Sequence, residues 1–456
     1  MKLPIRFNFI KISTYIYLSL FIFLFGYTLF RAEFIHEGNQ FSYYYKYYLI
    51  FIFGIIFWLI TLFFNEKRKL KIILISTSIL FFLYFYESIR FYEPIINEFN
   101  FIKNIKEYSK KTEPKIKSKI DIINELKIKK GINAVPSIFP KALFKINKKD
   151  FEKDIFPLGG IANKVTVFCK EGDEYSIYKS DRYGFNNPDN EWETENIEWL
   201  LLGDSFTQGS CVKPGEDIAS QIRFFSKKKA ISLGMAGNGP LIELATLKEY
   251  GYKKKPKIVL WLYFERNDLE DLAEEKNNPI FIKYLRDDFS QNLTSKQNEI
   301  NEILNKYIKI EKENLKDKNI ILNGAFNKII RLKIIRDKLA LDRGLDFGID
   351  PLFKKIFINA KDFINKWNGK LYFVYLPEKE RYTKNNIIHN EYLKKSRVIK
   401  LIEDLNIPII DIHNEFFMKQ EDPLSFFPYR IYGHYNAEGY MKISELIVSK
   451  VLLNLN

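Results

Sequence analysis

The sequence has few of the residues that build metal centres, with two cysteines and four histidines among 456 residues. Cys169 and Cys211 cannot supply a zinc site between them, and we therefore expect neither a metal ion nor a cofactor. Glycine and proline are scattered, and the chain has no internal repeat and no long low-complexity tract. The sequence thus gives no sign of a repeat architecture.

A continuous basic stripe is also missing, although the formal net charge is +15. Basic residues are interleaved with Asp and Glu, as in residues 311–318. Lys, Ile, Asn and Phe are abundant from end to end, which indicates a general compositional bias. Because the positive charge is not gathered on one segment, we expect no nucleic-acid partner.

Long hydrophobic runs are present, and they cluster near the N-terminus. Residues 14–30, 47–64 and 70–88 are dominated by Ile, Leu and Phe. Each run is about long enough to cross the ~30 Å hydrocarbon core as a helix. No small-residue cleavage site follows the first run, which disfavours a signal peptide. Residues 1–90 are therefore predicted to form an anchor of three transmembrane helices, with the membrane as a partner.

The positive charges around these runs predict their orientation. Three basic residues precede the first run, and four lie in the short loop 65–71. The longer loop between the first two runs has only Arg31 and Lys46. Since basic loops stay in the cytoplasm, the third helix is expected to lead the rest of the chain outside. The remaining domain is then periplasmic or extracellular.

In that compartment the two cysteines could either be bonded to each other or remain free thiols. Disulfides persist outside the cytoplasm, and a bond between Cys169 and Cys211 would close a loop of about forty residues, worth ~3–4 kcal/mol in the chain-entropy model. Two free buried thiols are the other alternative, and the sequence leaves both open.

The composition changes twice along the exported part. Residues 91–155 are rich in Lys and Glu, and Ile120, Ile123 and Leu126 recur at helical spacing, which predicts a charged helical linker. From about residue 156, short apolar runs alternate with helical stretches. The predicted strands are 197–202, 230–233, 258–263, 370–375 and 408–412, and the predicted helices are 218–225, 242–250, 352–367, 397–405 and 437–453.

Strands separated by helices predict a parallel sheet covered on both faces, an α/β fold of three layers (an α/β/α sandwich). In such folds, catalytic groups collect at the carboxyl ends of the strands. A charged, helix-rich segment at about 270–343 interrupts the alternation. It is predicted to be an inserted helical subdomain or lid, with a solvated helical decoration as the alternative.

Four short blocks follow the predicted elements in order. Ser205 comes directly after the first strand, and Gly237 lies in a glycine-rich turn after the second. Asn267 follows the third strand and can aim its amide at a developing oxyanion, and His434 precedes the last helix. Each block alone is weak evidence, since turns and helix caps use the same residues.

Together these blocks resemble the SGNH, or GDSL-type, hydrolase family, in a membrane-anchored form. Gly203-Asp204-Ser205-Phe206 is similar to the nucleophile block, with Phe in place of the usual Leu. The resemblance implies an SGNH-like domain over residues 156–456, with Ser205 as nucleophile and His434 as base. It also implies an oxyanion hole formed by Ser205, Gly237 and Asn267.

One position departs from the family pattern. The family usually places an aspartate two or three residues before the histidine, where this chain has Tyr432 and Ile431. Either a Ser–His dyad is helped by a backbone carbonyl, or an aspartate reaches in from elsewhere. Asp422 and Asp411 are the candidates for that third member.

The resemblance and the predicted location imply an extracytoplasmic serine esterase that acts on ester groups, O-acetyl groups in particular, of a surface glycan. A lipid ester is the competing substrate. An O-acyltransferase of surface polysaccharide that works with a membrane acyltransferase partner is the first alternative function. A non-catalytic glycan-binding or scaffold domain is the second, favoured by the missing aspartate.

Overall fold

The computed structural model describes residues 4–35, 41–108, 117–145, 155–195, 197–316, 329–339, 341, 349–383 and 390–453. The chain divides into two compact units. The first comprises Met1–Lys115 and Lys312–Phe347, and the second comprises Ile116–Glu311 and Gly348–Asn456.

The first unit contains three long N-terminal helices, Pro4–Leu29, Phe41–Thr61 and Glu66–Tyr108. Within them, three spans are long and apolar enough to cross a membrane, and at most 22% of each span is buried inside the protein. Large apolar side chains exposed on all sides are unfavourable in water and favourable in lipid. The three predicted apolar runs therefore lie in candidate membrane-spanning helices.

A short helix, Lys333–Lys338, also belongs to the first unit. Glu87, in the third long helix, is buried and accepts hydrogen bonds from two backbone N–H groups of this short helix, that of Ile334 at 2.7 Å. Arg336 donates to the Tyr43 hydroxyl at 2.6 Å. A carboxylate at a helix N-terminus satisfies N–H groups that have no partner within the helix. The last part of the predicted insertion is thus bound to the long helices.

The second unit begins with a helix and a small sheet. Helix Lys119–Lys130 starts at a capping box between Ser118 and Asp121 and ends at Gly131, whose φ is +64°. Three short strands follow, β1 (Val135–Pro136), β2 (Val165–Val167) and β3 (Ile177–Lys179). The end of the segment predicted to be a linker therefore belongs to the second unit, while residues 109–116 and 146–154 lie outside the described residues.

Strand β1 pairs in parallel with β2, and β2 pairs antiparallel with β3. Strands β2 and β3 form a hairpin. Its loop is fixed at the base by two backbone hydrogen bonds, from Phe168 N–H to the Ser176 oxygen and from Ser176 N–H to the Cys169 oxygen, at 2.9 and 2.8 Å.

The main sheet has five parallel strands in the order β5-β4-β6-β7-β8. All five predicted strands are present, and each boundary lies within two residues of the prediction. They are β4 (Trp199–Gly203), β5 (Ala230–Ser232), β6 (Ile258–Phe264), β7 (Lys370–Leu376) and β8 (Ile409–Asp411).

Successive side chains of these strands point to opposite faces and enter two separate cores. In β4, Leu200 and Leu202 pack in one core, and Trp199 and Leu201 pack in the other. The first core is covered by helices Pro240–Thr246, Pro351–Asn365 and Asn390–Asp404, and the second by Ile218–Ser226 and Ala437–Leu453. Helices on both faces of a parallel sheet make the predicted three-layer α/β/α sandwich, which is confirmed.

The first part of the predicted insertion is packed into the second unit. Phe281, Tyr284 and Ile300 are fully buried in its core. Buried Glu249 accepts hydrogen bonds from the Tyr284 hydroxyl at 2.6 Å and from Leu293 N–H at 2.8 Å. This part is therefore core structure rather than a solvated decoration, and its helices are Asp268–Glu275, Pro279–Lys283 and Gln297–Lys316.

Candidate active site

Ser205 opens a four-residue helix, Ser205–Gln208, directly after β4. The turn requires glycine at Gly203, where φ is +152° and a Cβ atom would lie 2.1 Å from Thr207 Oγ1. Asp204 caps the short helix by accepting a hydrogen bond from Phe206 N–H at 2.9 Å. This helix has no signal in the sequence, since four residues are too few for a periodic pattern.

His434 lies in the loop before the last helix, Ala437–Leu453. Its Nε2 atom is 2.9 Å from Ser205 Oγ, although the two residues are 229 positions apart. Next to it, buried Tyr435 donates its hydroxyl to the Pro377 carbonyl oxygen at 2.9 Å, just beyond the end of β7. The ring of Phe206 lies 4.8 Å from the imidazole, centroid to centroid. The loop is therefore held on the carboxyl ends of the strands.

The other nitrogen of the imidazole is paired with Glu171, which lies in the loop of the β2–β3 hairpin. His434 Nδ1 is 2.6 Å from Glu171 Oε1, and the backbone N–H of His434 donates to Oε2 at 3.0 Å. Since a carboxylate can only accept, Nδ1 carries the proton and the lone pair of Nε2 faces Ser205. Burial opposes the ionisation of Glu171, but the bonds from His434 outweigh it and lower the pKa of Glu171.

Among the described residues, neither Asp422 nor Asp411 forms a hydrogen bond with His434. Both carboxylate oxygens of Asp422 accept from Arg430 Nη2, at 2.6 Å each. Asp411 caps the helix Ile412–Glu415 and pairs with Lys395 at 2.6 Å. Both carboxylates are thus already engaged elsewhere, and Glu171 occupies the position beside the imidazole.

A disulfide joins Cys169 and Cys211, for which the sequence left a bond and two free thiols open. Cys211 Sγ lies within 4.8 Å of ligand atoms of Glu171 and His434, a spacing that could suit a metal ion. The donor set does not fit one, however, because a metal needs the thiolate and this sulfur is bonded to Cys169.

The proposed oxyanion donors lie on the loops beside Ser205. Ser205 follows β4, and the strands on either side are β5 and β6, whose following loops hold Gly237 and Asn267. Gly237 has φ of +73°. Gly234 approaches the serine helix so closely that a Cβ atom would lie 2.6 Å from Gln208 N. In the described part of the chain, no hydrogen bond joins Gly237 or Asn267 to Ser205.

The amide of Asn267 is oriented by Asp271. Asn267 Nδ2 donates to Asp271 Oδ2 at 2.6 Å, which leaves the second N–H of the amide available. Asp271 also pairs with Lys141. Burial raises the pKa of Asp271 to about 7, although the Lys141 ion pair lowers it. Asn267 is therefore fixed with its nitrogen end toward the carboxylate.

Comparison with known proteins gave matches among solved structures. A scan against protein-family models found no match, and a search of curated proteins found none either. The structure is similar to a protein assigned to the G-D-S-L family of lipolytic proteins from Desulfitobacterium hafniense, with 10% identity, a TM-score of 0.33, and coverage of 56% of this chain and 99% of that chain.

Two further similar structures are described as ester-cleaving proteins. A lipase/acylhydrolase from Enterococcus faecalis has 14% identity, a TM-score of 0.30, and coverage of 56% of this chain and 95% of that one. A two-domain esterase active on acetylated mannans, crystallised with mannopentaose, has 13% identity and a TM-score of 0.30. That match covers 58% of this chain and 50% of the esterase.

The described geometry is itself suited to one kind of chemistry. A hydroxyl, an imidazole and a carboxylate are joined in series by hydrogen bonds of 2.9 and 2.6 Å. Such a series lets the imidazole remove the hydroxyl proton while the carboxylate stabilises the resulting imidazolium. The side chains of His434 and Glu171 are 23% and 17% exposed, so the site is open to solvent.

Proposed function

We propose that the chain is a membrane-anchored serine esterase that hydrolyses acyl esters outside the cytoplasm. The observation that carries this proposal is the hydrogen-bonded series Ser205–His434–Glu171. In it, Ser205 is the nucleophile, His434 is the general base and Glu171 is the positioning residue. The absence of an aspartate before the histidine no longer favours a non-catalytic domain, because Glu171 supplies the carboxylate.

The reaction proceeds through an acyl-enzyme. His434 Nε2 takes the hydroxyl proton as Ser205 Oγ attacks the ester carbonyl, and the protonated imidazole then gives that proton to the leaving alcohol. A water molecule, deprotonated by His434, cleaves the acyl-enzyme and restores the hydroxyl. Attack by a second alcohol at this step would instead transfer the acyl group, which is the chemistry of the alternative O-acyltransferase.

Negative charge develops on the carbonyl oxygen in each tetrahedral intermediate. The backbone N–H groups of Ser205 and Gly237 and the free N–H of Asn267 are the proposed donors. Asp271 supports this role, since its hydrogen bond at 2.6 Å holds the Asn267 amide in one orientation before substrate binds. Preorganised donors of this kind are typically worth about 10²–10³ in rate each.

Two observations support an extracytoplasmic location. Basic residues in the N-terminal tail and in the loop 65–71 favour a cytoplasmic position for both. The Cys169–Cys211 disulfide lies in the second unit, and disulfides persist mainly in oxidising compartments. The two observations are independent and favour the same side of the membrane for the second unit.

For the substrate, we propose O-acyl groups, O-acetyl in particular, on a surface glycan. The loop before His434 exposes two aromatic rings, Tyr429 and Tyr432, with 58% and 39% of their surface accessible. A tyrosine ring has an apolar face and a polar tip, which suits the apolar face and hydroxyl groups of a sugar ring.

The test is labelling of the full-length protein, in detergent, by a fluorophosphonate probe. We expect labelling of the wild-type protein, none with Ser205→Ala, and slow labelling with His434→Ala. Ser425→Ala is the matched control, because Ser425 is a serine of the same unit in a different element, the 3₁₀ helix Pro423–Phe426. Equal labelling of Ser205→Ala and wild type would refute the assignment of the nucleophile. Acetate release from an acetylated glycan, set against acetyl transfer to a glycan acceptor, then separates esterase from transferase.

A further inference from the structure

We infer that the Cys169–Cys211 disulfide positions Glu171 against His434, so that ester hydrolysis depends on the redox state of this bond. This inference rests on the proposed function, because it concerns the carboxylate of the same catalytic site. It assigns the disulfide a role in the turnover rate as well as in folding.

The two cysteines lie close in sequence to the two sides of the catalytic series. Cys169 is two residues before Glu171, and Cys211 is six residues after Ser205. The bond therefore connects the hairpin loop that presents the carboxylate to the segment that leaves the nucleophile helix. Cys211 has φ of +63°, a left-handed conformation that is uncommon for residues other than glycine. The structure keeps Cys211 in this conformation at the point where the hairpin is attached.

The placement of Glu171 needs such an attachment. Its carboxylate reaches the imidazole from a hairpin whose strands have three residues each. A hairpin this short is only marginally stable without other support. Both carboxylate oxygens bind the histidine residue, Oε1 the ring at 2.6 Å and Oε2 the backbone at 3.0 Å. A shift of about 1 Å at one end of such a series is enough to cost a large part of the rate.

Other contacts also hold the hairpin loop, among them a salt bridge between Glu174 and Lys213 at 3.7 Å. The Ser176 hydroxyl, which is buried, donates to the Val212 oxygen at 2.6 Å, and the Tyr429 hydroxyl donates to Asp173. Because these contacts remain after the sulfur–sulfur bond is broken, we expect reduction to lower the activity and not to abolish it. Reduction by a dithiol such as dithiothreitol converts the bond to two thiols, while the dithiol is oxidised to its cyclic disulfide.

The experiment compares four full-length proteins in detergent: wild type, Cys169→Ser with Cys211→Ser, Glu171→Gln, and the combination of all three substitutions. For wild type, we expect dithiothreitol to lower kcat for a small acyl ester about 10-fold with KM nearly unchanged. The disulfide-free variant should match reduced wild type and should not respond to the reductant. The loss of kcat caused by Glu171→Gln should be at least several-fold smaller in the disulfide-free protein than in wild type, since the carboxylate is already displaced there.

A purely structural disulfide predicts a different result. In that case, reduction would lower the thermal unfolding midpoint and would leave kcat, measured well below that midpoint, unchanged. The loss of kcat caused by Glu171→Gln would also be the same with and without the disulfide. That result would overturn the inference and leave the esterase proposal standing. Oxidised wild type that neither hydrolyses esters nor reacts with the fluorophosphonate would overturn both. Reduction of the native protein serves as the second measurement if the cysteine variants fold poorly.

Discussion

At Glu171, burial and hydrogen bonding act in opposite directions on the same carboxyl group, and hydrogen bonding prevails. The carboxylate does not touch the substrate in the proposed mechanism, so its effect passes through the tautomer and orientation of His434. We predict that Glu171→Gln lowers kcat by about 10²- to 10⁴-fold with little change in KM, because the amide can donate to Nδ1 and favour the wrong tautomer.

Steady-state kinetics of the purified variant will check this value. Glu174→Gln is the matched control, since Glu174 lies in the same hairpin loop and is exposed. Equal loss of kcat in both variants would contradict a specific role for Glu171.

The lowered pKa of Glu171 also makes a prediction about stability. A carboxyl group with a folded-state pKa below its unfolded value of about 4.3 stabilises the fold above that value, and this contribution is lost as the pH falls through the folded pKa. Glutamine at position 171 does not titrate. We therefore predict that the difference in unfolding midpoint between wild type and Glu171→Gln shrinks as the pH falls below about 4. A difference that stays the same in acid would contradict it.

Position 203 requires glycine because of the limited space around it as well as its backbone φ angle. A Cβ atom there would meet Thr207 Oγ1 at 2.1 Å and the Leu262 carbonyl oxygen at 2.9 Å. We predict that Gly203→Ala destabilises the second unit by about 2–4 kcal/mol, the sum of strain and overpacking. Gly433→Ala is the matched control, because nothing lies within 4 Å of its Cβ position. Thermal unfolding of both variants checks the prediction, and equal midpoints would refute it.

Among the elements, the strands of the main sheet could be predicted from sequence because each is a short apolar run between turns. Their carboxyl ends then indicated Ser205, Gly237 and Asn267. Glu171 could not be found in this way, since it lies in the loop between β2 and β3 and does not follow a strand of the main sheet. The one available signal was Cys169, because a bond to Cys211 would bring its neighbours close to Ser205.

The helical insertion could also be predicted only in part from the sequence. Its charged, helix-prone sequence predicted helices, but it did not predict where they pack. Phe281 and Tyr284 are fully buried in the second unit, whereas Lys333–Lys338 binds Glu87 in the first. Long-range partners of this kind are not encoded in local periodicity.

The loop before His434 offers a test of the substrate class. Tyr432 is 39% exposed, and its ring centroid lies 6.2 Å from that of Tyr429. We predict that Tyr432→Ala raises KM for an acetylated glycan about 5-fold, by analogy with the ~1 kcal/mol of an aromatic contact. The variant should leave kcat and the hydrolysis of a small acetate ester nearly unchanged. Tyr432→Phe keeps the ring and should resemble wild type. A uniform rise in KM for both substrates would argue against a sugar-binding ring.

For the whole molecule, the proposed orientation can be checked with single cysteines, since the native pair is bonded. Lys67 and Lys309 are both exposed and lie in different units. A membrane-impermeant maleimide added to intact cells is expected to label Lys309→Cys and to label Lys67→Cys only after the membrane is opened. The reverse pattern would place the second unit in the cytoplasm.

The chain passes between the two units three times, after Lys115, after Glu311 and after Phe347. A single cut between the third long helix and Ile116 breaks every covalent link between the second unit and the three long helices, because Lys312–Phe347 is joined in sequence to the second unit on both sides. The hydrogen bonds from Ile334 and its neighbour to Glu87 would hold the severed pieces together even then. Retention of the second unit after such a cut would then depend on these non-covalent contacts within the first unit.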